Sequence, residues 1–188
     1  MRDLPGSSFR FLPILVTAVL SVSCASAQPP AMEDRHPCAG AVYRSLDFWL
    51  GSWRVENPEG KLQGTNLIEP TADGCAVRES WTGAAGGMGQ SLFYYSRPEE
   101  RWKQVWVTGT GFVKEKRQVK EHAGPGIRFQ GEVVYPGRGT LLDRTTLTPG
   151  EDGTVRQVIE VSEDGGETWR TTFDGIYVPA VDEASAGG

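Results

Sequence analysis

The sequence predicts an all-β fold, an antiparallel up-and-down barrel of about ten strands with one short N-terminal helix. Three observations carry that expectation. Short runs of alternating apolar and polar residues recur at roughly the 8 to 12 residue spacing of sandwiches and barrels. Turn chemistry separates the runs, and 24 glycines and 12 prolines among 188 residues, spread without a three-residue period, argue against long helices and against collagen. Every connection is short, so neighbouring runs should pair as antiparallel hairpins. An open meander of this length would leave two strand edges unpaired, whereas closure removes them.

The elements follow in chain order. Arg2 and Arg10 precede an apolar stretch, Phe11 to Leu20, which is too short to span a bilayer but has the length of an export-signal core. Ala25-Ser26-Ala27 supplies small residues for cleavage, so residues 1–27 read as a signal peptide and the mature chain as one domain of about 161 residues. The alternative is a lipoprotein anchored through Cys24. Residues 28–42 are polar and proline-rich and read as an exposed leader. Tyr43 to Leu50 has helical spacing, with Leu46, Trp49 and Leu50 on one side, and reads as a helix plugging or flanking one barrel end. Strands are then expected over Trp53 to Glu56, Leu62 to Glu69, Cys75 to Thr82, Gln90 to Tyr95 and Arg101 to Thr108. Five more follow, over Phe112 to Glu121, Ile127 to Tyr135, Thr140 to Thr148, Thr154 to Ser162 and Thr168 to Val178. The barrel thus occupies residues 43–178, and 179–188 read as a disordered tail.

The net charge of −5 becomes more negative by one when Arg2, Asp3 and Arg10 leave with the signal, which removes the main driving force for a nucleic-acid partner. No membrane span is expected after cleavage, and the expected location is periplasmic or secreted. Only Cys38 and Cys75 then remain, and an even count in an oxidising compartment reads as one disulfide. The competing reading places zinc on these cysteines with His36 and His122. The absence of any short paired ligand spacing weighs against it, so neither a metal nor a cofactor is expected.

Phe48-Trp-Leu-Gly51-Ser-Trp53 is the most specific stretch. A short helix ending in glycine, followed by a tryptophan at the start of the first strand, sets an indole at a closed barrel end, where a cationic side chain can cover it. The chain here resembles the calycins, the lipocalin and fatty-acid-binding superfamily with a Gly-x-Trp at its first strand. It is more closely similar to an uncharacterised bacterial calycin-like group that opens Phe-Trp-Leu-Gly-x-Trp and continues through Gly74-Cys75, Glu79-Ser-Trp81, Trp102-Lys-Gln-Val-Trp106 and the Ser162 to Trp169 turn. The resemblance runs from about Leu46 to Tyr177. It implies a barrel with a central cavity and no assigned reaction. Trp49, Gly51 and Trp53 are then structural, and Arg170 on the last strand is the candidate cover for Trp53, with a plain surface arginine as the alternative.

Ser162-Glu-Asp-Gly-Gly-Glu-Thr-Trp169 matches the Asp-box pattern of sialidase propellers. A propeller needs several copies and one is present, so Asp164 and Trp169 are read as turn-building residues and no glycosidase is inferred. The Gly83 to Gly89 segment lacks the strand-to-helix context of a phosphate cradle and reads as a mobile portal loop at the open end.

Strand parity selects the candidate site. Trp81 shares a face with Glu79 and Val77, Trp106 with Gln104 and Trp102, and Gln157 with Val155, Ile159 and Val161. If the large apolar residues face inward, Glu79, Gln104 and Gln157 are carried inside with them. A few polar groups among aromatics are what small-molecule cavities contain. Arg144, on the face opposite Asp143, is expected to neutralise Glu79 or an acidic ligand. The expected function is therefore an exported barrel binding a small apolar or amphipathic molecule through Glu79, Trp81, Trp102, Gln104, Trp106, Arg144 and Gln157. Two alternatives stay open: a small isomerase or lyase using Glu79 as general acid or base, and a non-catalytic interaction protein.

Overall fold

The structure, a computed structural model, describes residues 36–180. Ten strands are present: β1 (Gly51–Glu56), β2 (Leu62–Thr71), β3 (Ala76–Gly83), β4 (Met88–Ser96), β5 (Arg101–Thr108), β6 (Val113–Gln118), β7 (Ile127–Tyr135), β8 (Gly139–Pro149), β9 (Val155–Ser162) and β10 (Arg170–Pro179). Each pairs antiparallel with its sequence neighbours, and β1 pairs with β10 through Trp53↔Pro179 to Glu56↔Ile176, closing an up-and-down barrel. Closure satisfies the backbone of what would otherwise be two free edges. Burial alternates along the strands as the pleat requires, with Trp53 and Val55 inside on β1 and Leu141, Asp143, Thr145 and Leu147 inside on β8.

One barrel end is plugged. The predicted helix over Tyr43 to Leu50 is a short helical segment spanning residues 41–49, built from two 3₁₀ pieces, Ala41–Arg44 and Asp47–Trp49. Its fully buried Leu46 and Trp49 enter the barrel, and the Trp49 ring meets Phe93 and Tyr177 edge-on at 5.5 and 5.7 Å. Gly51 follows at a φ of 131°, a conformation side chains disfavour, and this turns the chain so that Trp53 Nε1 donates back to the Trp49 carbonyl at 2.8 Å. The segment is fastened at further points. Trp102 Nε1 donates to Val42 O at 3.0 Å, Arg97 Nε donates to the Tyr43 hydroxyl at 2.8 Å, and Cys38 and Cys75 form a disulfide tying the segment to the β2–β3 turn.

The predicted strands lie where expected, with instructive differences. The run expected over Phe112 to Glu121 yields only β6, because the charged Val113-Lys-Glu-Lys-Arg-Gln segment pairs with β7 at just Arg117↔Gln130 and Gln118↔Phe129. A Cβ at Gly131 would lie 2.2 Å from Glu115 O, so only glycine admits this close approach of β6 to β7. Gly83 to Gly89, expected as a mobile portal loop, contributes to β3 and β4 at both ends, leaving a tight turn in which Gly83 N–H donates to Gly87 O at 2.6 Å. Residues 36–42, expected as exposed leader, are partly docked: Cys38 is buried and Pro37 O accepts from Arg97. β10 continues through Pro179, and Ala180 N–H donates to Ser52 O, so the tail does not begin at residue 179. The proposed signal with Cys24, the rest of the leader and residues 181–188 lie outside the described residues. Within the described residues no helix is long and apolar enough to cross a membrane.

Candidate functional site

The interior divides into three tiers along the barrel axis. Beside the plug lies an apolar tier that includes Phe93, Phe129, Leu147 and Tyr177, all fully buried. Trp102 belongs here. It is 1% exposed and its indole holds the plug, about 13 Å along β5 from Trp106, so parity placed it inside correctly but at the sealed end.

The middle tier is polar. Ser91 Oγ donates to Glu79 Oε2 at 2.7 Å and Asn66 Nδ2 to Glu79 Oε1 at 2.8 Å. Gln104 Nε2 donates to Ser91 Oγ at 3.2 Å, and the Tyr177 hydroxyl receives Asn66 Nδ2 at 3.1 Å while donating to Gln157 Oε1 at 2.8 Å. Glu79, Gln104 and Gln157 are thus inside as expected and joined in one network, with Asn66, Ser91 and Tyr177 as its unpredicted members. Burial pushes the Glu79 carboxyl above its ordinary range, opposed by the hydrogen bonds from Ser91 and Asn66 and by Lys116. Burial likewise raises the Tyr177 hydroxyl. Two buried acceptors, Asn66 Oδ1 and Gln104 Oε1, have no hydrogen-bond partner among the described residues. Such atoms are costly unless a water or another donor reaches them.

Next to this tier is a charged cluster that sequence reasoning missed. Asp143 is fully buried, with Lys116 Nζ 2.5 Å from Oδ1, Lys114 Nζ 2.7 Å from Oδ2, and the Tyr135 hydroxyl donating to Oδ2. Lys116 Nζ also donates to Thr145 Oγ1 at 2.6 Å. Burial acts to raise the Asp143 carboxyl, but the two ammonium groups outweigh it and hold it below the ordinary range. Burial lowers Lys116 to about 8 against the pull of Asp143.

This cluster corrects the expectation for Arg144. Asp143 takes the inward position and Arg144 the outward one, where it pairs with Glu160 at 2.6 and 3.0 Å and stacks over Trp169 at 3.9 Å. Arg144 therefore does not face Glu79. The usable signal was the parity of Leu141, Asp143, Thr145 and Leu147. On β6 no apolar residue marks the inward face, which is why Lys114 and Lys116 were illegible.

The far end of the barrel forms an aromatic mouth. Trp81, Trp106, Phe173, Phe112 and Tyr135 are each only partly buried there. The Trp106 ring occupies the space a Cβ would need at Gly89, 2.3 Å away, and the Trp81 ring does the same at Gly64, 2.8 Å away. Both indoles therefore lie against glycine positions in the barrel wall. Phe173 meets Trp81 edge-on at 5.9 Å, and Phe112 tilts against Tyr135 at 5.3 Å.

The remaining predicted residues are placed as follows. In the Asp-box turn, Asp164 accepts Thr168 N–H at 2.9 Å and the Ser162 hydroxyl at 2.7 Å, while Trp169 Nε1 donates to Gly166 O at 3.0 Å. Gly165 and Gly166 have φ of 74° and 101°, and the bonds from Thr168 and Ser162 lower the Asp164 carboxyl. Arg170 is exposed at the start of β10, whereas Trp53 pairs with Pro179 at its end, so Arg170 cannot cover Trp53; Tyr177, 6.0 Å away, packs against it instead.

Among the described residues, His36, Cys38 and Cys75 form the one compact grouping of metal-ligating types, within 4.8 Å of one another, but the disulfide takes up both sulfurs and leaves one histidine. A scan of protein-family models and a search of curated proteins return no match to the chain.

Proposed function

We propose that this protein is a binding protein, a calycin-like barrel that admits a small, partly apolar molecule through the aromatic mouth opposite the plug. One observation carries the reading: Trp81 and Trp106 lie against glycines in the wall at the end opposite the plug, on the same strand faces as a buried tier in which Asn66 Oδ1 and Gln104 Oε1 have no hydrogen-bond partner among the described residues. Interleaved aromatics and a few fixed polar groups are the usual chemistry of such sites. Export to an oxidising compartment is part of the same proposal, supported by the Cys38–Cys75 disulfide and by the apolar stretch ahead of Ala25-Ser26-Ala27.

The neutral fluorophore N-phenyl-1-naphthylamine tests the binding reading. Its emission should rise on titration, with energy transfer from tryptophan that falls markedly in Trp106→Ala but not in Trp169→Ala, whose ring lies on the outer wall. No emission change, or equal transfer in all three proteins, removes the proposal.

Glu79 supports a second reading as general acid or base, since its carboxyl is buried and raised. Its two oxygens already accept from Asn66 and Ser91, which favours the structural role. Turnover of any trial substrate that disappears in Glu79→Gln with folding intact would reverse this preference.

A further inference from the structure

At the mouth, the inward face carries an unbalanced set of charges. Lys114 and Lys116 share a single carboxylate, Asp143, which also accepts the Tyr135 hydroxyl. The other inward acid among the described residues, Glu79, accepts from Ser91 and Asn66 and forms no ion pair with either lysine. Burial also favours its neutral form. The two lysines therefore exceed their shared carboxylate by one positive charge, in a setting where unbalanced charge is expensive.

That charge is accessible at Lys114. Its side chain is 15% exposed against 2% for Lys116, and Lys114 is directly opposite Trp106 in the β5–β6 register. The ammonium sits 5.8 Å from the Phe112 ring centre and 5.4 Å from that of Tyr135. These rings fix it beside the entrance. An ammonium has three N–H donors, and Lys114 spends one on Asp143 Oδ2 at 2.7 Å. By contrast, Lys116 gives donors to both Asp143 and Thr145, further inside. Asp143 therefore orients the two lysines without cancelling them.

We propose that the ligand is an organic acid with a flat apolar body, its carboxylate or sulfonate bound by Lys114 at the mouth and its body lying against Trp106 and the Trp81–Phe173 pair. This rests on the binding reading above and adds the ligand's chemical class. Aromatic surface alone would accept any apolar molecule, whereas Lys114 selects for a negative group.

Two probes sharing one skeleton test it: the neutral N-phenyl-1-naphthylamine and its sulfonate, 8-anilino-1-naphthalenesulfonate. The sulfonate should bind about tenfold more tightly at low salt, as one charge-assisted hydrogen bond implies. Lys114→Gln should weaken sulfonate binding by about tenfold and change the neutral probe by less than about twofold, while Lys114→Arg retains the preference. If Lys114→Gln does not fold, rising salt gives a second measurement, since it should weaken the sulfonate selectively. Equal affinity for both probes in the wild type, or equal loss of both in Lys114→Gln, overturns the acid preference and leaves the binding reading standing. Failure of the wild type to bind either probe overturns both.

Discussion

Glu79 shows how burial turns one side chain into a pH-dependent weakness. Its carboxyl is raised by desolvation, so the folded chain keeps a proton that the unfolded chain gives up near the ordinary value of 4.5. Below that pH both states are protonated and there is no penalty. As pH climbs from there to the folded pKa, only the unfolded chain gains by releasing its proton, and stability falls. Lys116 is the cation that moderates this, and Ser91 and Asn66 are the donors facing it. Glutamine at position 79 retains an acceptor for Asn66 and cannot ionise. Glu79→Gln should therefore match the wild type in urea denaturation near pH 4 and exceed it at pH 8. Equal stability at both pH values would mean that the network solvates the carboxylate fully.

At the scale of strands, the mouth depends on pairs in which one strand omits a side chain and another supplies a ring. Gly89 on β4 and Trp106 on β5 are such a pair. Gly89→Ala should force the indole from the wall, costing about 1 to 3 kcal/mol by overpacking, and shift near-ultraviolet circular dichroism and Trp106 emission while far-ultraviolet signals stay constant. Unchanged spectra would show that the ring has room to spare.

The same scale explains what sequence reading recovered. Glu79, Gln104 and Gln157 were legible because Val77, Trp81, Trp106 and Val155 mark the parity of their strands, and a period of two leaves no freedom once one inward residue is known. β8 misled because Leu142 and Leu141 fall on opposite faces and either could have been inward; choosing wrongly exchanged Arg144 for Asp143. β6 gave no marker at all. For Trp102 the alternation gives the face and not the depth, since it says nothing about position along the barrel axis. Arg170 failed for the same reason, because its distance from Trp53 depends on which end of β10 meets β1.

For the molecule as a whole, closure by β1 and β10 and sealing by residues 36–50 are coupled. The Cys38–Cys75 link spans 37 positions and ties the plug to the β2–β3 turn. Replacing both cysteines with serine should cost about 2 to 4 kcal/mol, most of it through a less restricted unfolded chain. Thermal melts with and without a reductant check this. The wild type should fall toward the double variant on reduction, and the variant should not respond. A wild type indifferent to reductant would show that Trp102, Arg97 and the inserted Leu46 and Trp49 hold the plug unaided. The overall fold was legible where local signals agreed, as in the antiparallel pairing of neighbouring strands, and the ion cluster was not because its members come from β6, β7 and β8 and meet only after the barrel closes.

Both ends of the described chain emerge on one side. Residue 36 leads into the plug, and Ala180 hydrogen-bonds Ser52 beside the start of β1, so the backbone enters and leaves at the sealed pole. A tether joined at either end of the described chain would therefore leave the aromatic end of the barrel facing away from the anchor.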